Sequence, residues 1–186
     1  MKKPVRKEKP GSDKREHHYL NRMRHHSGKY EEFHWPSVEL LINLAYTYEV
    51  IHSHLARRLD EHNLSLGAFN VLMVLSRFEG DGCPMHELGE LLLVSRANVT
   101  GLIDYLARRK FVERTEDERD RRVRLVRLTK AGKKFLESIL PAHYSRVREM
   151  FKGMSNRDKA ALSELLMKLR HSTQSSLKRV SMNGGK

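Results

Sequence analysis

The chain has 186 residues, 39% apolar and 32% charged, and its 36 Lys and Arg against 23 Asp and Glu give +13 with histidine neutral. That length suits one domain with extensions, and the charge favours a polyanionic partner. No run approaches the roughly 18 uncharged apolar residues that a spanning helix needs, no apolar stretch follows the basic start MKKPVRKEKPGSDKR, and a single Cys83 excludes an internal disulfide or a cysteine-rich zinc site; the expectation is a soluble, cytoplasmic protein without membrane contact.

The charge is uneven. Residues 1–36 sum to +5, residues 37–93 to −5, residues 94–134 to +7 and residues 135–186 to +6. An anion-binding face is therefore expected in the basic segment 94–134 that follows the acidic one, although a charge run alone is also what a well-solvated surface shows.

Residues 1–34 hold Pro4, Pro10, Gly11 and Gly28 among dense charge and read as a flexible basic arm, with a helical stretch around 15–26. From Pro36, Val38, Leu41, Ile42, Ala45, Tyr48, Leu55 and Leu59 recur at helical spacing, predicting a long helix over 37–61. Leu40, Leu44 and Ile51 on its other side predict that two faces are buried. Asn63 closes this helix, and Ser65 caps a second one carrying Phe69, Val71, Leu72, Val74 and Leu75. Gly80-Asp81-Gly82 breaks the chain, and a short helix with Leu88, Leu91 and Leu92 begins near Pro84.

Ser95 is a good N-cap for the next helix, over 95–108, whose apolar stripe is Val99, Leu102, Ile103 and Leu106. Phe111-Val112-Glu113-Arg114 predicts a strand, Thr115 through Arg121 a charged turn, and Arg122 through Leu128 the return strand. Thr129 caps a helix, with Leu128 as a hydrophobic staple, and Pro141 either kinks that helix or restarts it. Ser155 and Asp158 have capping-box spacing ahead of a last helix with Leu162, Leu165, Leu166 and Leu169 on one side. The basic tail, 173–186, is expected to fray. The fold class is thus mainly α, with one lobe over 65–128 bearing a small wing of two or three strands and apolar helices at both chain ends.

Helix, tight turn, helix and a charged ribbon form the order of a winged helix-turn-helix. The helix from Ser95 leaves Ser95, Arg96, Asn98 and Thr100 near its N-terminus. Arg pairs with guanine edges, Asn with adenine, Thr meets a thymine methyl or a phosphate, and helix N-terminal amides suit phosphate. Arg119, Arg121 and Arg122 sit at the ribbon's turn, where arginine fits a narrow minor groove. Arg124 and Arg127, with Arg108, Arg109 and Lys110, are positioned for backbone contact.

The stretch Leu88-Gly89-Glu90 to Leu93-Val94-Ser95-Arg96-Ala97-Asn98-Val99-Thr100, then Leu102-Ile103-Asp104 and Leu106, resembles the recognition region of the MarR family of transcriptional regulators. So does Glu118-Arg119-Asp120-Arg121-Arg122-Val123, with Leu125-Val126 and Leu128-Thr129 leading to Gly132; the likeness spans roughly 37–170. It implies a homodimer whose helices over 37–61 and 130–172 intertwine. Each dimer would read a pseudo-palindromic operator in double-stranded DNA, as a repressor relieved by a small effector. By the family pattern Asp120 and Arg122 match the wing, and Asp104 braces a wing arginine through an ion pair.

The same resemblance puts an effector pocket near Trp35, Tyr48 and His52; the plainer alternative makes Tyr48 a core residue and His52 a helix-surface one. A urate-responsive branch pairs an N-terminal Trp with an Asp in a Phe-Asp-Val-Leu motif, but Phe69-Asn70-Val71-Leu72 has Asn there, which argues against urate and leaves a phenolic or other aromatic acid as the expectation. No cofactor or metal is implied: of eleven histidines, His17-His18 and His25-His26 lie in the arm, His52 and His54 fall on different helix faces, and His86-Glu87 lacks the second histidine of a zincin helix. Cys83 has no basic neighbour to activate it. No phosphate loop, nucleophile elbow or metal spacing points to an enzyme. A non-specific architectural DNA binder, gripping any duplex through its basic ends, is the remaining alternative.

Overall fold

The computed structural model describes residues 30–78, 82–92, 94–117, 120 and 122–183, without the side chains of Arg96 and of 176–183. The expected arm over 1–34 lies almost wholly outside the described residues, as do Gly80, Asp81, Arg119 and Arg121. The chain divides into two units, Met1–Thr129 and Lys130–Lys186.

In the first unit, α1 (Trp35–Leu59) carries Pro36 in its first turn, where a missing N–H costs nothing. It tightens into a 3-10 turn, Asp60–His62, and reverses at Asn63, whose φ of 49° is left-handed. There the Asn63 N–H donates to the Asp60 carbonyl at 2.9 Å and the Leu64 N–H to the Leu59 carbonyl at 3.0 Å, the double closure of a Schellman turn. The expected helix over 37–61 thus starts two residues earlier and ends as a tighter spiral. Of its residues only Leu59 is fully buried, while Leu40, Leu41, Tyr48 and Val50 are exposed, so the described residues of its own unit do not cover the two faces expected to be buried.

Ser65 accepts the Ala68 N–H at 3.1 Å and starts α2 (Leu66–Leu75), which buries Ala68, Phe69, Val71, Leu72 and Leu75. A two-residue strand β1 (Cys83–Pro84) leads into α3 (Met85–Leu92), then α4 (Arg96–Arg108), β2 (Val112–Glu116) and β3 (Arg124–Leu128). The sheet is antiparallel in the order β1-β3-β2, with Cys83 opposite Val126 and Val112 opposite Leu128. The helix expected to begin near Pro84 starts at Met85; the two residues before it pair with β3, reached through Gly82 at φ +79°, where a Cβ would lie 3.1 Å from the Val126 carbonyl oxygen. Leu64, Leu88, Val99, Ile103, Leu106, Val112, Cys83 and Val126 complete the buried core of this unit.

In the second unit, α5 (Lys130–Met150) runs through Pro141 without interruption and buries Gly132, Leu136 and Ile139. Proline removes one N–H and hence one helical bond, and the flanking turns carry the helix past it. The helix α6 (Asn156–Asn183) begins at a reciprocal box: the Asp158 N–H donates to the Ser155 hydroxyl at 3.1 Å and the Ser155 N–H to the Asp158 carboxylate at 3.1 Å. It continues past Ser172, where fraying was expected; the Thr173 and Ser175 hydroxyls fold back onto the Leu169 and His171 carbonyls at 3.0 and 2.8 Å. Among the described residues no helix is long and apolar enough to cross a membrane.

Candidate nucleic-acid interface

The helix α4 exists because Ser95, extended at φ −65° and ψ 153°, accepts the Asn98 N–H at 3.3 Å and frees the following turns to bury Val99, Ile103 and Leu106. The opposite face leaves Ala97, Asn98, Thr100, Gly101 and Arg108 exposed. The approach from α3 is close. The Val94 N–H donates to the Gly89 carbonyl at 3.1 Å. A Cβ at Gly89 would lie 3.4 Å from the Val94 oxygen and 3.6 Å from a Val99 methyl. A second Schellman turn ends α4: Lys110 sits at φ 59°, its N–H donates to Ala107 at 2.8 Å, and Phe111 donates to Leu106 at 3.0 Å.

The two left-handed turns are joined. The Tyr105 hydroxyl donates to the Asn63 carbonyl, and Arg109 Nη1 donates to the same oxygen at 2.8 Å and to the Tyr105 oxygen at 2.9 Å. The Arg109 guanidinium also stands 4.6 Å from the centroid of the Phe111 ring. The sequence pattern grouped Arg109 with Arg108 and Lys110 as a backbone contact; its guanidinium is instead engaged inside the domain. The four-residue spacing puts Tyr105 and Arg109 on one helix face, and that face meets the end of α1.

The ribbon is stiffened by charge pairs. Val112 and Val126 point to the core, and Arg114, on the same strand face, reaches Asp104 of α4 at 2.5 Å. Glu116 and Arg124 pair at 2.6 Å, and Glu113 and Arg127 at 2.8 Å, each from directly opposed positions. One exposed pair contributes at most about 1 kcal/mol, but opposite charges across a hairpin also fix its register. The turn is closed by Asp120, whose carbonyl accepts the Val123 N–H at 2.8 Å and whose carboxylate accepts the Arg122 N–H at 3.0 Å. Arg122 Nε lies 3.5 Å from that carboxylate, yet its side chain is 94% exposed.

The residues expected at the DNA are thus found in two groups. Ser95, Asn98 and Thr100 lie on or at the start of α4, along with the backbone of Arg96, and Arg122 lies at the turn of the wing. Arg124 lies lower on the wing and is paired with Glu116, while Arg119 and Arg121 are outside the described residues. Asp104 and Asp120 each hold an arginine of the ribbon.

Trp35 is not brought to Tyr48 and His52: it stacks on Phe33 at 6.3 Å, and about 20 Å of helix separates it from Tyr48 at 1.5 Å per residue. The Tyr48 and His52 rings meet at 5.5 Å, and Tyr48 is 62% exposed, against the alternative that made it core. Cys83 is buried with its thiol 3.6 Å from the Pro84 carbonyl, and burial, then the Glu87 carboxylate, pushes its pKa up to about 11. A protonated buried thiol is a poor nucleophile. Among the described residues no three His, Cys, Asp or Glu side chains are grouped to hold a metal ion.

Residues 62–123 match the family model described as MarR family. The HTH-type transcriptional repressor YetL of Bacillus subtilis is 30% identical over 141 residues, covering 76% of this chain and 84% of that protein. The chain belongs to the MarR family of transcriptional regulators. The fold agrees with solved members: the MarR regulator AbsC from Streptomyces coelicolor superposes at a TM-score of 0.69, with 22% identity over 73% of this chain and 93% of that one. A mutant of the Escherichia coli protein MarR, solved with operator DNA, gives 0.64 with 23% identity over 75% of this chain and 99% of that one.

Proposed function

We propose that this MarR-family protein is a sequence-specific repressor that binds a pseudo-palindromic operator as a homodimer and releases it on binding a small, aromatic effector. The observation that carries the reading is the pairing of an exposed polar face on α4, with Asn98 and Thr100, with a braced ribbon whose Arg122 side chain is 94% exposed. A helix of about 10–12 Å diameter fits a major groove of about 12 Å, and an arginine beside it reaches the adjoining minor groove. In this reading Arg96, Asn98 and Thr100 meet base edges, Ser95 meets a phosphate, Arg122 enters the minor groove with Arg119 and Arg121 beside it in sequence, and Arg124 grips the backbone. The repressor name of YetL and the operator complex of the Escherichia coli MarR mutant support it.

Exposed Leu40, Leu41, Tyr48 and Val50 on α1, with Leu162, Leu165 and Met167 on α6, support a second copy of the chain as their cover. Tyr48 and His52, in ring contact, are the effector residues of choice, with Trp35 a separate candidate further along α1. The site of action is the cytoplasm, with the DNA. Fluorescence anisotropy on the gene's own upstream duplex and on a shuffled duplex, at about 150 mM salt, tests the reading. Preference by about a thousandfold supports it; equal binding to every natural and shuffled duplex tried leaves a charge-driven architectural protein instead.

A further inference from the structure

The face of α4 that the proposed reading turns to DNA has a residue without a side chain at its middle. Gly101 is exposed, lies in the interior of the helix, and has open space where a Cβ would stand: beyond its own helix backbone and chain neighbours, no atom of the described residues lies within 4 Å. Its φ is not in the left-handed region, so the fold does not ask for glycine on conformational grounds. Glycine inside a helix lowers stability relative to alanine. Other helical glycines have an internal reason. A Cβ at Gly67 would lie 3.4 Å from the Leu102 side chain, and one at Gly89 3.4 Å from the Val94 oxygen. Nothing among the described residues accounts for Gly101 in this way.

The residues around it supply the account. Asn98 and Thr100, both exposed and flanking Gly101 to either side on the outward half of the helix, are short, and their polar atoms stand only two or three bonds from the backbone. Such side chains reach a base edge only if the helix backbone itself comes close. A full side chain at position 101, between them and Asp104 on the outward face, would hold the helix away from the groove floor. We infer that Gly101 is a positioning residue for DNA recognition, a point of close approach that lets Asn98 and Thr100 reach the bases. The inference rests on the reading of α4 as the major-groove helix.

The test uses the full chain and a duplex enriched by the wild type from a random 30-base-pair library, with a shuffled duplex as control. Gly101→Ala is expected to raise the melting temperature by roughly 2–4 °C while weakening binding to the enriched duplex about tenfold, and Gly101→Leu to weaken it by about a hundredfold or more. Binding to the shuffled duplex is expected to stay within about twofold, because phosphate contacts carry it. Unchanged affinity in both variants overturns the inference, as does an equal loss on both duplexes. A lower melting temperature in Gly101→Ala also overturns it, since glycine would then be needed by the fold. If the wild type enriches no sequence, the regulator reading falls and the inference with it.

Discussion

Asp104 and Arg114 meet at 2.5 Å between helix α4 and strand β2 of the ribbon, with both side chains about two-fifths exposed (42% and 37%). The pair links α4 to the ribbon, the two elements that the proposed reading turns to DNA. A double-mutant cycle of Asp104→Ala and Arg114→Ala in urea is expected to give a coupling of about 0.2–1 kcal/mol. DNA affinity should fall by about tenfold in either single variant, with no further loss in the double. Fully additive losses of affinity would mean that the two residues act separately.

Ser95 has two separable tasks, capping α4 and, in the proposed reading, accepting a phosphate neighbour. Aspartate caps as well as serine. Ser95→Asp is therefore expected to leave stability within about 0.5 kcal/mol of wild type and to weaken DNA binding through charge repulsion. That deficit should shrink as salt rises and screens it. Anisotropy titrations at several salt concentrations check this; a deficit independent of salt would assign the effect to geometry instead.

Arg122 and Asn98 are expected to fail in different ways. Arg122→Ala should weaken binding and flatten its salt dependence by about one unit of slope. Asn98→Ala should cost about 1–3 kcal/mol at one base position and relax preference there. Salt titrations and single-base variants of an enriched duplex distinguish the two; the same loss on every sequence would make Asn98 a backbone contact.

The Cys83 thiol, raised from its ordinary 9.0 to about 11, makes folding pH-dependent on the alkaline side. Its neutral form is the one the fold favours, so its contribution is complete below pH 9.0 and is lost as pH rises through about 11. Native protein at about pH 8 should react with Ellman's reagent far more slowly than urea-unfolded protein. Equal rates would show that the thiol is open to solvent.

Much of the architecture was legible from residue pattern because the relevant signals are local. Ser65 and Ser95 are side-chain caps that act within three residues, and Val99, Ile103 and Leu106 mark a stripe by spacing alone. Strand β1 was not legible: two residues are too few for an alternating pattern, and Cys83 and Pro84 pair with Val126 and Leu125, distant in sequence. The partners of the wing arginines were readable in principle, since Glu113 and Arg127, like Glu116 and Arg124, stand equally far from Asp120. The engagement of Arg109 was not, because its acceptor is the main-chain oxygen of Asn63, which carries no residue signature.

That oxygen has an evolutionary corollary. An acceptor on the backbone survives every substitution of its own side chain, so the hydrogen-bonded seam between the end of α1 and α4 rests on the donors Tyr105 and Arg109. Position 63 is held to residues tolerant of a φ of 49°, whereas loss of the Tyr105 hydroxyl or the Arg109 guanidinium unpicks the seam while both helices stay intact. Drift at this joint is therefore tolerated on the Asn63 side, while the constraint falls on α4.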